Sequence, residues 1–312
     1  MEEITMNMGL KKNGKVWKTA VPLALGGVLL VSSGMSAMAG TSGYEAYKAA
    51  LKQQHKVQSV TADVKMVLKD NSQPLWQAAQ HVKLDKAGHR ASGEVELQEG
   101  AETERVAFFA GAEEDLVFKN STEETYYVIS EDERAGRKHH RESGKEGGPT
   151  AEELEGIVDA LAGGLKQQMT LETKPDGGSQ VELQLSAAQI PPAVQALGAL
   201  ALKYAGDGEH RHDPGKEGLP AWFGGTEPDL PALTQDIRIE SFRLTADIAP
   251  DGMLQGQVVE LKVDGKDAAG AEHELALTAQ VALSGHNATA ADTVELDGKQ
   301  VRTLDLHGDG RK

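Results

Sequence analysis

Two histidine-bearing stretches offer the clearest chemistry in this chain. His139-His140-Arg141-Glu142 stands about seventy residues before His210-Arg211-His212-Asp213, and each runs on into a Gly-Lys-Glu-Gly segment that ends in proline. Imidazole with carboxylate suits zinc or nickel, so His139, His140, His210 and His212, joined by Glu142 and Asp213, would be the ligands if the two loops converge. Each cluster also carries arginine or lysine, which repels a cation, and glycine-rich ligand loops would have to be ordered by the metal itself. The same composition describes a solvated linker of mixed charge, and that reading has the greater weight. Asp-Pro after His212 does not continue a metallo-hydrolase pattern. Gly-x-Gly-x-x-Gly, a phosphate-binding loop, a nucleophile elbow and His-Glu-x-x-His are all lacking. The chain is therefore expected to be no enzyme and to need no cofactor. His55, His81, His89, His273, His286 and His307 fall at element ends or on wet faces and read as surface residues.

A second feature separates the two loops. The later one continues into Leu219-Pro220-Ala221-Trp222-Phe223, and a Trp-Phe pair is conspicuous where aromatics make up 4% of residues. Such a pair must reach something apolar. It plugs the core edge, forms a lid over a cleft with Leu219, or meets a membrane surface; the acidic charge of the chain favours the lid over the membrane, which makes Leu219, Trp222 and Phe223 the candidate ligand-binding residues.

The elements around these loops read mainly as strands. Val60, Ala62, Val64, Met66 and Leu68 alternate with Thr61, Asp63, Lys65 and Lys69, so one face is wet. Asp70-Asn71-Ser72 turns the chain back through 75–84, and Ala91, Gly93, Val95 and Leu97 extend the meander. Shorter strands follow near 106–110, 116–118, 125–129, 169–173 and 180–185. From Ile237 the alternation resumes with Phe242, Leu244, Ala246 and Ile248. Asp251-Gly252 returns it through Val259, Leu261 and Val263, and Asp264-Gly265 opens a wider connection to Leu275, Leu277, Ala279, Val281 and Leu283. A last strand lies near 301–306. Strands of this length suit a curved or rolled sheet.

Helices punctuate the strands. Ser42-Gly43-Tyr44-Glu45 is a capping box that opens a helix with Tyr44, Tyr47 and Leu51 on one side. Thr150-Ala151-Glu152-Glu153 is another, followed by Leu154, Ile157, Val158, Leu161 and Leu165 at helical spacing. Ile190-Pro191-Pro192 suits a helix start, with Val194, Leu197, Leu200 and Tyr204 as its stripe. Thr61-Ala62-Asp63 with Asp70-Asn71 is echoed by Thr245-Ala246-Asp247 with Asp251-Gly252, from duplication or from ordinary hairpin preference.

Bulk properties set the location. Lys11, Lys12, Lys15 and Lys18 precede an uncharged stretch over 19–44 with an apolar heart at 20–31, and Ala37-Met38-Ala39 has the small residues that a signal peptidase reads. Residues 1–39 are expected to be a cleaved signal peptide or, uncleaved, an N-terminal membrane anchor. Either leaves 40–312 extracytoplasmic, secreted or anchored at the outer face of the cytoplasmic membrane, with contact to a membrane only through the N-terminal segment. That segment is basic, so the remainder is more acidic than the formal −16 of the whole chain, which argues against nucleic acid as a partner. With no cysteine there is no disulfide framework and no lipid-modified cysteine.

The order of an early helix, long meander strands, inserted helices and more long strands resembles the half-barrel superfamily of envelope proteins. It includes the LolA-like lipoprotein carriers, the mycobacterial LppX-like lipid binders and a periplasmic sensor that restrains an anti-sigma factor. Gly43-Tyr44-Glu45-Ala46-Tyr47, Val60-Thr61-Ala62-Asp63-Val64 and Leu185-Ser186-Ala187-Ala188-Gln189-Ile190-Pro191 are also similar to uncharacterised exported proteins of Gram-positive bacteria. The resemblance implies an α+β fold, a long curved antiparallel β-sheet (half-barrel) with two to three helices packed on its concave face. One domain over 40–312 would then carry helical insertions near 150–169 and 191–205 and loops near 131–149 and 206–230. It also implies an apolar cleft for a lipid or other amphiphile, or alternatively an envelope protein partner.

Overall fold

The computed structural model describes residues 43–100, 102–111, 116–129, 166–192, 194–196, 198–199 and 230–304. Within them, helix α1 (Gly43–Lys56) precedes twelve strands. These are β1 (Ser59–Asp70), β2 (Gln73–Asp85), β3 (Arg90–Glu99), β4 (Glu102–Ala110), β5 (Leu116–Asn120), β6 (Tyr126–Ile129), β7 (Met169–Thr173), β8 (Ser179–Ser186), β9 (Gln235–Ile248), β10 (Leu254–Lys266), β11 (Glu272–Ser284) and β12 (Val301–Thr303). Residues 192, 194–196, 198 and 199 are helical, as Pro191-Pro192 suggests. The stretches that carry residues 150–165, His139, His140, His210, His212, Leu219, Trp222 and Phe223 lie outside the described residues, as does the N-terminal segment.

All twelve strands belong to one sheet, in the order β12-β6-β5-β4-β3-β2-β1-β11-β10-β9-β8-β7. Each strand of the two meanders pairs antiparallel with its neighbour, and only β12 runs parallel to its partner β6. The meanders meet where β1 pairs with β11, with Thr61 opposite Ser284 and Asp70 opposite Leu275. The protein is thus a large sheet dominated by antiparallel pairing, with few helices.

Alternation explains the burial. Val60, Ala62, Val64 and Leu68 are buried while Asp63, Lys65 and Lys69 are exposed, so β1 presents its apolar side to the core. The β1–β2 turn is the expected Asn71-Ser72 pair, both with positive φ (48° and 70°), which suits a two-residue hairpin. Asp264-Gly265 does not behave as expected. Both residues lie inside β10, Gly265 pairs with His273, and the turn comes later, where the Gly270 amide donates to the Asp267 carbonyl. A Cβ at Gly265 would lie 3.0 Å from Leu233 Cδ1, so the glycine leaves room for that side chain.

Two irregularities keep the apolar face continuous. A bulge lets Ile239 oppose Val263 while Ser241 opposes Lys262, so Glu240 is extra and the buried phase shifts from Leu244 and Ala246 to Ile237 and Ile239. Near Gln255 a second bulge moves the phase from Leu254 to Gln257.

Burial divides that face into two clusters and a bridge. On the β7–β11 side, Val181, Leu183, Leu244, Ala246, Val263 and Leu275 pack with Tyr44, Tyr47, Ala50 and Leu51 of α1. Tyr44, Tyr47 and Leu51 are the three residues that helical spacing places together. On the β1–β6 side, Trp76, Val82, Val95, Phe108, Phe118, Tyr127 and Leu304 form the second cluster. Val64, Ala279 and Val281 bridge them at the seam. Phe108 lies against Gly93, where a Cβ would be 2.8 Å from the ring and 2.3 Å from the His81 carbonyl oxygen.

The opposite face carries a strap made by residues 285–300. The Asn287 amide donates to Ser59 O, Thr289 Oγ1 meets Thr61 Oγ1 at 2.9 Å, and the Asp292 amide donates to Ser92 Oγ at 2.8 Å. Asp292 also takes both oxygens to Lys83 Nζ. Thr61, Lys83 and Ser92 are register neighbours on β1, β2 and β3, so the strap follows one lateral row until β12 docks beside β6. This explains why Ser92, which faces away from the core clusters, is fully buried.

Candidate functional site

The apolar face is the broadest chemical feature among the described residues, and its polar groups decide what it could hold. Register places Asn120, Val106, Val95, Gln80, Val64, Val281, Gln257, Ala246 and Val181 in one row across β5, β4, β3, β2, β1, β11, β10, β9 and β8. Asn120, Gln80 and Gln257 are three of the five buried polar residues among those described, and the row collects all three. A line of amides thus crosses an apolar surface, with Gln80 and Gln257 one strand to either side of the seam.

Two of these amides have clear local work. Asn120 Oδ1 accepts from the Thr122 amide and from Thr122 Oγ1, which closes the turn after β5. Gln257 Oε1 accepts a 2.8 Å hydrogen bond from Tyr47 Oη, tying α1 to the middle of β10. Burial pushes the Tyr47 phenol well above its ordinary range.

Beside Tyr47, Tyr44 gathers two cations. Lys166 Nζ lies 4.8 Å from the Tyr44 ring centroid and Lys48 Nζ 6.0 Å from it, within the usual span of a cation–π contact. Lys48 Nζ is buried and has no hydrogen-bond partner among the described residues. The helix sits close to β7 here, since a Cβ on Gly43 would be 2.3 Å from Thr170 O.

A titratable cluster closes the far end of the seam. His273 Nδ1 is 2.7 Å from Asp70 Oδ2, and both side chains are 16% exposed. Its Nε2 lies 3.8 Å from Asp267 Oδ2. The Ala271 amide holds the Asp267 carboxyl below the usual carboxylate range, with the nearby imidazole acting in the same direction. Asn71 completes the latch: its side chain donates to Glu272 O and accepts from the Glu274 amide.

His273 therefore corrects the expectation that it is an ordinary surface residue. It shares the phase of Leu275, Leu277 and Ala279 on β11, and that two-residue period is the signal that assigns it to the apolar face. The same period places Gln257 with Val259 and Gln80 with Ala78 and Val82. His81 does stand on the wet face, 2.7 Å from Asp63. The expected ligand residues Leu219, Trp222 and Phe223, and the expected metal ligands His139, His140, His210 and His212, lie outside the described residues, so their proximity to this face is not part of the geometry. Among the described residues, no group of three or more His, Asp or Glu side chains is arranged to hold a metal ion, and no helix is long and apolar enough to cross a membrane.

No family model matches the chain, and no curated protein matches it. Among solved structures, a tesB protein from Mycobacterium avium subs paratuberculosis is 11% identical over 83% of this chain and 98% of its own, with a TM-score of 0.13. The dehydratase domain of PpsC from Mycobacterium tuberculosis in complex with C12:1-CoA is 14% identical over 78% and 84%, with a TM-score of 0.11. A hot dog fold protein of unknown function from Alicyclobacillus acidocaldarius is 10% identical over 81% and 90%, with a TM-score of 0.11. Likeness this slight carries no argument about fold or function.

Proposed function

We propose that the chain is an exported, non-enzymatic binding protein that holds a lipid or another amphiphile on the apolar face of a curved, half-barrel-like sheet, with its helices on the concave side. The observation that carries this reading is the breadth of the apolar face. It runs from β8 to β6 through two clusters and a bridge, while α1 belongs to the β7–β11 cluster alone. Half-buried Met66, Leu75, Leu261, Leu277 and Leu283 lie between or beside the clusters, the kind of surface an acyl chain covers. Leu219, Trp222 and Phe223 are proposed as its lid. Native mass spectrometry of gently purified protein is expected to reveal a co-purifying apolar molecule. A clean apo mass, with no uptake of an added fatty acid or solvatochromic dye, refutes the reading.

A second reading, a membrane-tethered envelope sensor or protein-interaction module, draws on β7. Among the described residues that strand ends the sheet order, is mostly exposed and presents Leu171 at 39% exposure, an edge that could accept a strand from another protein. A photo-crosslinking residue at Leu171 is expected to trap the partner on intact cells. Adducts at control positions alone would remove β7 from consideration.

A further inference from the structure

We propose that Lys48 and Lys166, gathered on Tyr44, form a subsite for the anionic headgroup of the amphiphile, a phosphate or a carboxylate; this rests on the apolar-ligand reading above. An ammonium removed from water needs an acceptor, and a buried one without any is costly and calls for a missing partner. Lys48 Nζ is in that state, buried and with no hydrogen-bond partner among the described residues. A ring quadrupole 6.0 Å away compensates only weakly. Lys166 brings a second ammonium to the same ring at 4.8 Å, although like charges repel. Two cations held at one aromatic ring, in a chain with a formal charge of −16, form a local exception to the field of the protein. An anion beside Lys48 would satisfy its ammonium, and Lys166 adds a second positive charge at the same ring.

The position suits a headgroup more than a free ion. Tyr44 itself is 3% exposed and belongs to the β7–β11 apolar cluster, which also holds Met169 and Leu183. An anion placed at the lysines would leave an attached tail next to apolar side chains, while Lys166, an exposed residue, keeps one side of the subsite open to water. Head and tail requirements therefore meet at the same residue.

Isothermal titration of the full chain with monomeric dodecyl phosphate, monomeric dodecyl maltoside and inorganic phosphate tests this. Dodecyl phosphate is expected to bind about tenfold more tightly than the maltoside, a difference that one charge-assisted contact can supply. In a Lys48→Met, Lys166→Met variant that preference should vanish while maltoside affinity is retained. Equal affinities in the unmodified chain, or a preference that survives both substitutions, overturns the subsite and leaves the apolar reading standing. Failure of both amphiphiles to bind overturns the two together. Inorganic phosphate binding as tightly as dodecyl phosphate would also overturn the proposal, by making the source a free ion. As a separate readout, Lys48→Met alone should raise the Tm without ligand and lower it at saturating dodecyl phosphate.

Discussion

Tyr47→Phe separates two effects that meet in one hydrogen bond. At neutral pH the substitution removes the donor to Gln257 Oε1 while leaving the ring in place between α1 and β10. Tyr47 is 1% exposed and Gln257 4%, so the acceptor loses a partner that water cannot readily replace. The expected loss is about 1–3 kcal/mol of unfolding free energy. The alkaline limb works in the opposite direction. Burial raises the phenol pKa in the folded protein above its ordinary value of about 10, so the unfolded chain releases this proton first as pH rises. The stability due to the neutral phenol is complete below pH ~10 and declines above it at about 1.4 kcal/mol per pH unit. At pH 11 the unmodified protein should thus have lost about 1.4 kcal/mol through this group, and Tyr47→Phe none through it. Urea denaturation of both proteins between pH 7 and pH 11 should show the gap closing by that amount. A gap that stays constant to pH 11 would refute the buried, neutral tyrosine as the link between helix and sheet.

Three further substitutions probe other parts of the fold. Gly93→Ala is expected to cost about 3 kcal/mol, the upper part of the overpacking range, because the new Cβ meets a backbone carbonyl as well as the Phe108 ring; a Tm within a degree of the unmodified protein would contradict the close approach. Ser92→Ala should cost about 1 kcal/mol and loosen the strap, read as faster amide exchange at Asp292, whereas Lys83→Ala should cost less than about 1 kcal/mol because that pair is substantially exposed. For the histidine loops, zinc is expected to raise the Tm if His139, His140, His210 and His212 act together, and replacing all four with alanine should abolish the rise; an unchanged shift rules the cluster out.

Legibility in the sequence follows the strength of the local signal. The alternation of β1 and β11 is uninterrupted, so Val64, Ala279 and Val281 are readable as core without any knowledge of their pairing. The β9 face is harder, since the extra residue Glu240 breaks the period and makes Ile237 and Ile239 look out of phase with Leu244. Asp264-Gly265 carries turn chemistry but serves a packing need set by Leu233, a residue distant in sequence. His273 sits at a strand end, where polar residues normally mark the surface, and only the pairing of β1 with β11 reveals its partner Asp70. The strap has loop composition throughout, and nothing local tells that it crosses three strands. For the candidate site, the sequence singles out aromatic and histidine loops, whereas Gln80, Gln257 and Lys48 stand out only once the register and the helix contacts are known.

The seam between β1 and β11 has a consequence for how the chain acquires its structure. Thr61 cannot find Ser284, nor Tyr126 its neighbour Val301, until the long stretch of chain between them is present. Closing loops of that length is entropically unfavourable and makes folding slow relative to a chain built from local contacts. Each meander can form by itself as it emerges, yet the centre of the sheet stays an unpaired edge until β11 arrives. A sheet assembled in that order is expected to display slow-phase refolding and to be vulnerable to aggregation before, not after, its final strands dock.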